Sequence, residues 1–245
     1  MRVISGNVCV FSIIALAGLG LCACGRTETS IVVARVGDHF VTKANLVRWT
    51  AIEAILSETT EPTRAPPKGL VPDPPTYANC IAFLRSHPKP GEAQLKPSTG
   101  QLKNRCDEEH RLLQRHILDI LLIAYWLKDE ASEKGVRITN GEIEQVLHRI
   151  FPKRASFRRY LAFTGEHESD ERLIIEKDLL DSRLLKLKEA EQAGGRQVTV
   201  HERQLATIEA AREFTSKWAA RTWCRAGYVV SECKQFAGKR SLIEP

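Results

Sequence analysis

The sequence predicts a mainly α-helical, elongated domain that opens on a short N-terminal β-hairpin. Three observations predict it. Apolar residues recur at three- and four-residue steps, most plainly at Leu113, Ile117, Ile120, Leu121, Ala124, Leu127 and Ala131. Ser98 with Gln101, Thr139 with Glu142 and Thr199 with Glu202 each form a capping box, in which a hydroxyl side chain and an amide or carboxylate satisfy a helix start reciprocally. One run of β-branched residues, Ile31 to Val36, is followed by Gly37-Asp38 and then His39-Phe40-Val41, the pattern of a tight hairpin.

The elements follow in order. Arg2 precedes an apolar stretch from Val8 to Leu21, which is shorter than the roughly 20 residues a spanning helix needs. It ends in Leu21-Cys22-Ala23-Cys24-Gly25, which resembles a lipobox. That resemblance implies a signal peptide over residues 1–23, cleavage after Ala23 and a lipid on Cys24. An ordinary secretory signal is the alternative, and Cys22 is disfavoured by bulky Leu21 at its cleavage position. Residues 24–31 form a tether, residues 32–236 the helical domain and residues 237–245 a tail.

Thr42 opens the first helix, to about Ser57, with Val41 placed to pack on Leu46 as a hydrophobic staple. Residues 59–76 hold six of the eleven prolines and form a loop. A short helix spans Tyr77 to Arg85. The longest helix starts at Ser98 or Thr99 and ends before Gly135, about 50 Å at 1.5 Å per residue. Its length suggests an elongated scaffold. Thr139 caps the next helix, which Pro152 stops, and Ala155 to Phe163 forms another, ended by Gly165. Ser169 is expected to cap a helix reaching about Gln192, where Gly194-Gly195 breaks the chain. The Thr199 box opens a last helix to about Arg221. Cys224 to Cys233 reads as a small looped staple.

Seven cysteines sort once export is accepted. Cys9 and Cys22 leave with the signal and Cys24 carries lipid. Cys80, Cys106, Cys224 and Cys233 remain, an even number in an oxidising compartment. Three pairings are open, and proximity along the chain favours Cys80 with Cys106 and Cys224 with Cys233. Zinc is the rival reading, against which stands the absence of a CxxC spacing.

Several stretches together resemble the SurA N-terminal family of extracytoplasmic chaperones, which includes the PrsA-like foldases. They are Val33 to Leu46, Thr76 to Ile81, Gly135 to Ile143, Phe151-Pro152 with Phe157, Tyr160 and Leu161, and the end around Gly227-Tyr228-Val229-Val230 and Cys233. The resemblance implies a helical chaperone domain whose last helix returns to pack on the N-terminal part. In those foldases a parvulin-type prolyl isomerase domain lies between the penultimate and last helices. Here Ala193 to Val198 alone separate them, whereas a folded domain needs roughly 50 residues.

Nothing in the sequence looks catalytic. His110 and His116 are not spaced as helical metal ligands, His201-Glu202 lacks the second histidine of a zincin motif, and no phosphate-cradling glycine loop is present. No cofactor is expected. The net charge of +6 is spread along mixed-charge helices, and export argues against nucleic acid as a partner. The expected partners are unfolded or secreted polypeptides, with the membrane held through the lipid. The candidate client-binding residues are the aromatic side chains Trp49, Tyr125, Trp126, Phe157, Tyr160 and Trp218; core packing is the plainer reading for them. Arg158-Arg159 beside Tyr160 is a candidate rim. A dedicated interaction lipoprotein and a prolyl isomerase are the competing functions.

Overall fold

The computed structural model describes residues 31–58, 65–88, 96–193 and 199–238. The expected signal peptide, Cys24, most of the tether, Gly194-Gly195 and the end of the tail lie outside the described residues. The described chain is mainly helical, with a small antiparallel sheet.

Strands β1 (Val32–Val36) and β2 (His39–Thr42) form the expected hairpin, with Val36 opposite His39 across the Gly37-Asp38 turn. Gly37 takes φ +50, a conformation that favours glycine, and a Cβ there would lie 2.9 Å from the movable end of the Asp129 side chain. The buried side chains Ala34, Val36 and Val41 form the floor of the main core. Helix α1 (Lys43–Glu58) follows without a break, its Asn45 N–H bonded to Thr42 Oγ1 at 3.2 Å, and Val41 and Leu46 are both buried in that core.

Helix α2 (Ala78–Ser86) packs on the start of α3 (Thr99–Glu133) in a satellite cluster of Tyr77, Cys80, Ile81, Leu102 and Cys106. Asp73 holds the start of α2 by accepting from the Asn79 and Cys80 N–H groups. Its carboxyl sits below the usual aspartate range: burial opposes this, but those backbone hydrogen bonds outweigh it. Ser98 and Gln101 close the capping box of α3 as the sequence predicts. The predicted stripe on α3 is buried at Ile117, Leu121, Ala124, Leu127 and Ala131. Leu118, Leu122 and Trp126 are buried as well, because this half of α3 is packed by α1, the sheet and the later helices at once.

Helices α4 (Asn140–Ile150) and α5 (Arg154–Thr164) carry a third cluster of Ile143, Leu147 and Phe157 with Ile175. Thr139 and Glu142 cap α4 reciprocally, and Gly165 ends α5 in the left-handed region at φ +75. Helix α6 (Glu168–Ala193) begins earlier than the sequence suggests. Ser169 lies inside its first turn and is not the cap. The Asp170 carboxylate, inside that first turn and held by Arg48, accepts from the N–H of His167, the residue that precedes the helix, at 2.9 Å.

Helix α7 (Val200–Arg221), with the Thr199–Glu202 capping box, returns to the N-terminal part and buries Phe214, Trp218 and Ala219 in the main core. The segment after it corrects the sequence reading. Thr222–Cys224 is a third strand, β3, and not merely the start of a loop. It pairs antiparallel with β1, so the sheet order is β2-β1-β3. Both disulfides match the favoured pairing: Cys80–Cys106, with 6.2 Å between Cα atoms, and Cys224–Cys233, with 5.7 Å.

Candidate functional site

Four of the six aromatic candidates are buried in the core, although Trp218 also borders an open cleft beside Asp129, Glu133 and Arg221. Trp49, Trp126, Phe157 and Trp218 are buried, and Trp126 has no exposed surface. Each indole deepest in the core has a polar partner, as burial requires. Trp126 Nε1–H donates to Thr222 Oγ1 at 2.7 Å and Trp218 Nε1–H to Glu130 Oε2 at 2.8 Å. Lys217 also bonds that carboxylate at 2.6 Å, which supplies the countercharge a buried glutamate needs. Tyr125 and Tyr160 are half-buried. Tyr125 stacks on His39, whose Nε2 lies 3.1 Å from Asp129. These rings hold the domain together, and the client-binding assignment is withdrawn from the four buried ones. Arg158 and Arg159 are exposed, as a solvated face would be.

Tyr160 belongs to a polar knot between α1, α5 and α6. Arg48 grips Asp170 with both terminal guanidinium nitrogens. Burial and the neighbouring charge of Glu171 push the Glu166 carboxyl up to about 7. Burial, then the Glu166 and Glu171 charges, push the Tyr160 hydroxyl upward too. At neutral pH this cluster can hold a proton, and its observed contacts lie within the fold.

The open apolar surface is elsewhere. A cleft of about 260 Å³ lies between α1, α3 and the stapled C-terminal segment. Leu46, Leu118 and Val230 form its floor, each buried, while Tyr228 and Val229 wall it from the tail, with Val229 36% exposed. Arg111, Gln114 and Arg115, on successive turns of α3, form the polar rim. Arg111 also pairs with Asp107 at 2.8 Å. Such a cleft suits an apolar side chain whose backbone or flanking carboxylate meets the rim.

The tail wall is fixed by more than the disulfide. Lys234 N–H bonds Thr222 O at 2.9 Å, and Gln235 Nε2 bonds Cys224 O at 2.8 Å. Glu232 is buried, accepts from Ser231 Oγ and meets Asp119 of α3, one turn beyond Arg115. Burial, and then the hydrogen bond and charge of Glu232, raise the Asp119 carboxyl to about 9, so Asp119 keeps its proton at neutral pH.

The sequence carried little signal for this cleft, because its apolar residues come from three distant segments. The apolar run Tyr228-Val229-Val230 between two cysteines was the one local hint. The four described cysteines form two separate bridges and not one zinc cluster. Among the described residues no group of three or more His, Cys, Asp or Glu side chains could hold a metal ion. His110 sits edge-on to Tyr77 with its ring pKa lowered by burial, His116 lies 3.9 Å from Glu53, and His201 is exposed. Two disulfides fit an oxidising, extracytoplasmic environment. Among the described residues no helix is long and apolar enough to cross a membrane. No protein-family model, no curated protein and no solved structure matches the chain.

Proposed function

We propose that this chain is an extracytoplasmic chaperone, anchored through a lipid on Cys24, that holds unfolded or secreted polypeptides without catalysing a reaction on them. The reading places it beside the SurA N-terminal foldases and without their isomerase domain. The observation that carries it is the open cleft between α1, α3 and the stapled tail, apolar on its floor and cationic on its rim. An apolar floor of this kind would accept apolar side chains from many different clients.

Two further features support the reading. The disulfides suit a protein that works where secreted chains fold. Helix α7 starts at Val200, close in sequence to the end of α6 at Ala193, which leaves no length for an inserted catalytic domain.

The deciding experiment is an aggregation assay with two unrelated reduced client proteins. The mature chain is expected to keep both in solution at stoichiometric excess, and to do so in moderate salt, since apolar contacts are screened little. Protection of neither client, together with a single native partner co-purifying from cells, would replace this reading with that of a dedicated interaction lipoprotein.

A further inference from the structure

The outer face of the sheet carries one row of side chains that crosses all three strands. Arg35 of β1 is paired with Phe40 of β2 on one side and with Trp223 of β3 on the other. Their strand neighbours Ala34, Val36, Val41, Thr222 and Cys224 are buried against the core, so the row points away from it. Phe40 is 50% exposed, Trp223 is 36% exposed and Arg35 is exposed. Among the described residues Arg35 makes no ion pair. Arg225, two residues beyond Trp223, is also exposed, and its N–H bonds Val33 O at 2.8 Å, which extends the row toward the start of β1.

The chain before β1 says what this face meets. Seven residues lead from Cys24 to Ile31, a reach of at most about 25 Å when extended. This segment leads into the sheet at the end of β1 that Arg225 flanks. A lipid on Cys24 therefore holds this sheet close to a bilayer. Two aromatic rings beside two exposed guanidinium groups, neither of them in an ion pair among the described residues, match the chemistry of a membrane interface, where indoles sit at headgroup depth and cations meet lipid phosphates.

We propose that the outer sheet face, formed by Phe40, Arg35, Trp223 and Arg225, docks on an anionic phospholipid surface. The proposal rests on the lipid anchor read at Cys24. Docking turns a single tether into a fixed orientation. The sheet lies on the membrane, and α3, which packs on the sheet's other face through the Trp126–Thr222 hydrogen bond, is held away from it. The docking area is small, so this face binds lipid weakly by itself and acts through the high local concentration the anchor supplies.

The four tryptophans make the test direct, because Trp49, Trp126 and Trp218 are buried and Trp223 alone among them is open. Purified lipidated protein is reconstituted into phosphatidylglycerol vesicles with brominated acyl chains. Flotation with the vesicles first reads the anchor, and tryptophan quenching then reads the docking. The expected result is flotation with quenched and iodide-protected emission. Trp223→Phe should lose the quenchable component. R35E together with R225E should float equally well but lose most of the quenching, and neutral phosphatidylcholine vesicles should quench less. Flotation with Trp223 unquenched and open to iodide overturns the docking while leaving the anchor in place. Failure to float overturns the anchor reading and the docking with it.

Discussion

Trp126 and Thr222 lie far apart in the chain, yet the indole N–H of one donates to the hydroxyl of the other at 2.7 Å, both fully buried. Thr222 in turn donates to the Trp218 carbonyl at 2.8 Å. This relay ties the long helix to the point where the last helix becomes a strand. Thr222→Val keeps the shape and removes the acceptor, leaving a buried N–H unpaired. It should cost about 1–3 kcal/mol, read as a lower urea midpoint, whereas Thr222→Ser should retain most of the stability. Equal losses in the two variants would show that the methyl and not the hydrogen bond matters.

The two disulfides should differ in reach. Each closes a loop worth about 2.5–3.5 kcal/mol in the chain-entropy model. Cys80–Cys106 belongs to the satellite cluster under α2, while Cys224–Cys233 belongs to the main core. Replacing the first pair with serine should speed hydrogen exchange in α2 and the start of α3 and leave the rest protected. Replacing the second should lower protection in β1 and β3 together. Hydrogen exchange read by mass spectrometry separates the two patterns.

Stability should fall as pH rises. In the folded chain Asp119 keeps its proton up to about pH 9, since burial and then Glu232 disfavour its anion. In the unfolded chain it releases that proton near pH 4. The folded state therefore binds the extra proton across that window. Its stability is greatest at the acid end and declines by at most about 1.4 kcal/mol per pH unit toward pH 9. Glu166, raised to about 7 mainly by burial, acts in the same direction over the lower part of the window. Asp119→Asn should flatten the dependence and raise the melting temperature at pH 8, and should converge with the wild type near pH 4. Calorimetry at both pH values checks this.

The cleft should be separable from the fold. Val229 lines it and is 36% exposed, so Val229→Asp should change stability by no more than about 0.5 kcal/mol. It should nonetheless weaken protection of aggregating clients several-fold. An unchanged protection curve would move client binding off this surface.

The sequence by itself determined the local structure. The Gly37-Asp38 turn, three capping boxes and the glycine after α5 are legible because each is a contact between residues a few positions apart. The disulfide preference held for a similar reason, since short loops close at the lowest entropic cost. Tertiary structure decided what periodicity leaves open. A helical stripe marks which residues leave water but not what covers them, so a groove stayed open for Trp49, Trp126, Phe157 and Trp218 beside the plainer core reading; the main core buries the three tryptophans, and Ile143, Leu147 and Ile175 cover Phe157. Strand β3 was hidden because three residues carry too little pattern, and it exists through pairing with β1 from the far end of the chain. Helix α6 starts ahead of Ser169, at Glu168, and its first turn carries Asp170, whose carboxylate meets Arg48 on another helix, a contact that local sequence does not reveal. The cleft and the exposed row on the sheet arose in the same way, each from residues that long-range packing alone brings together.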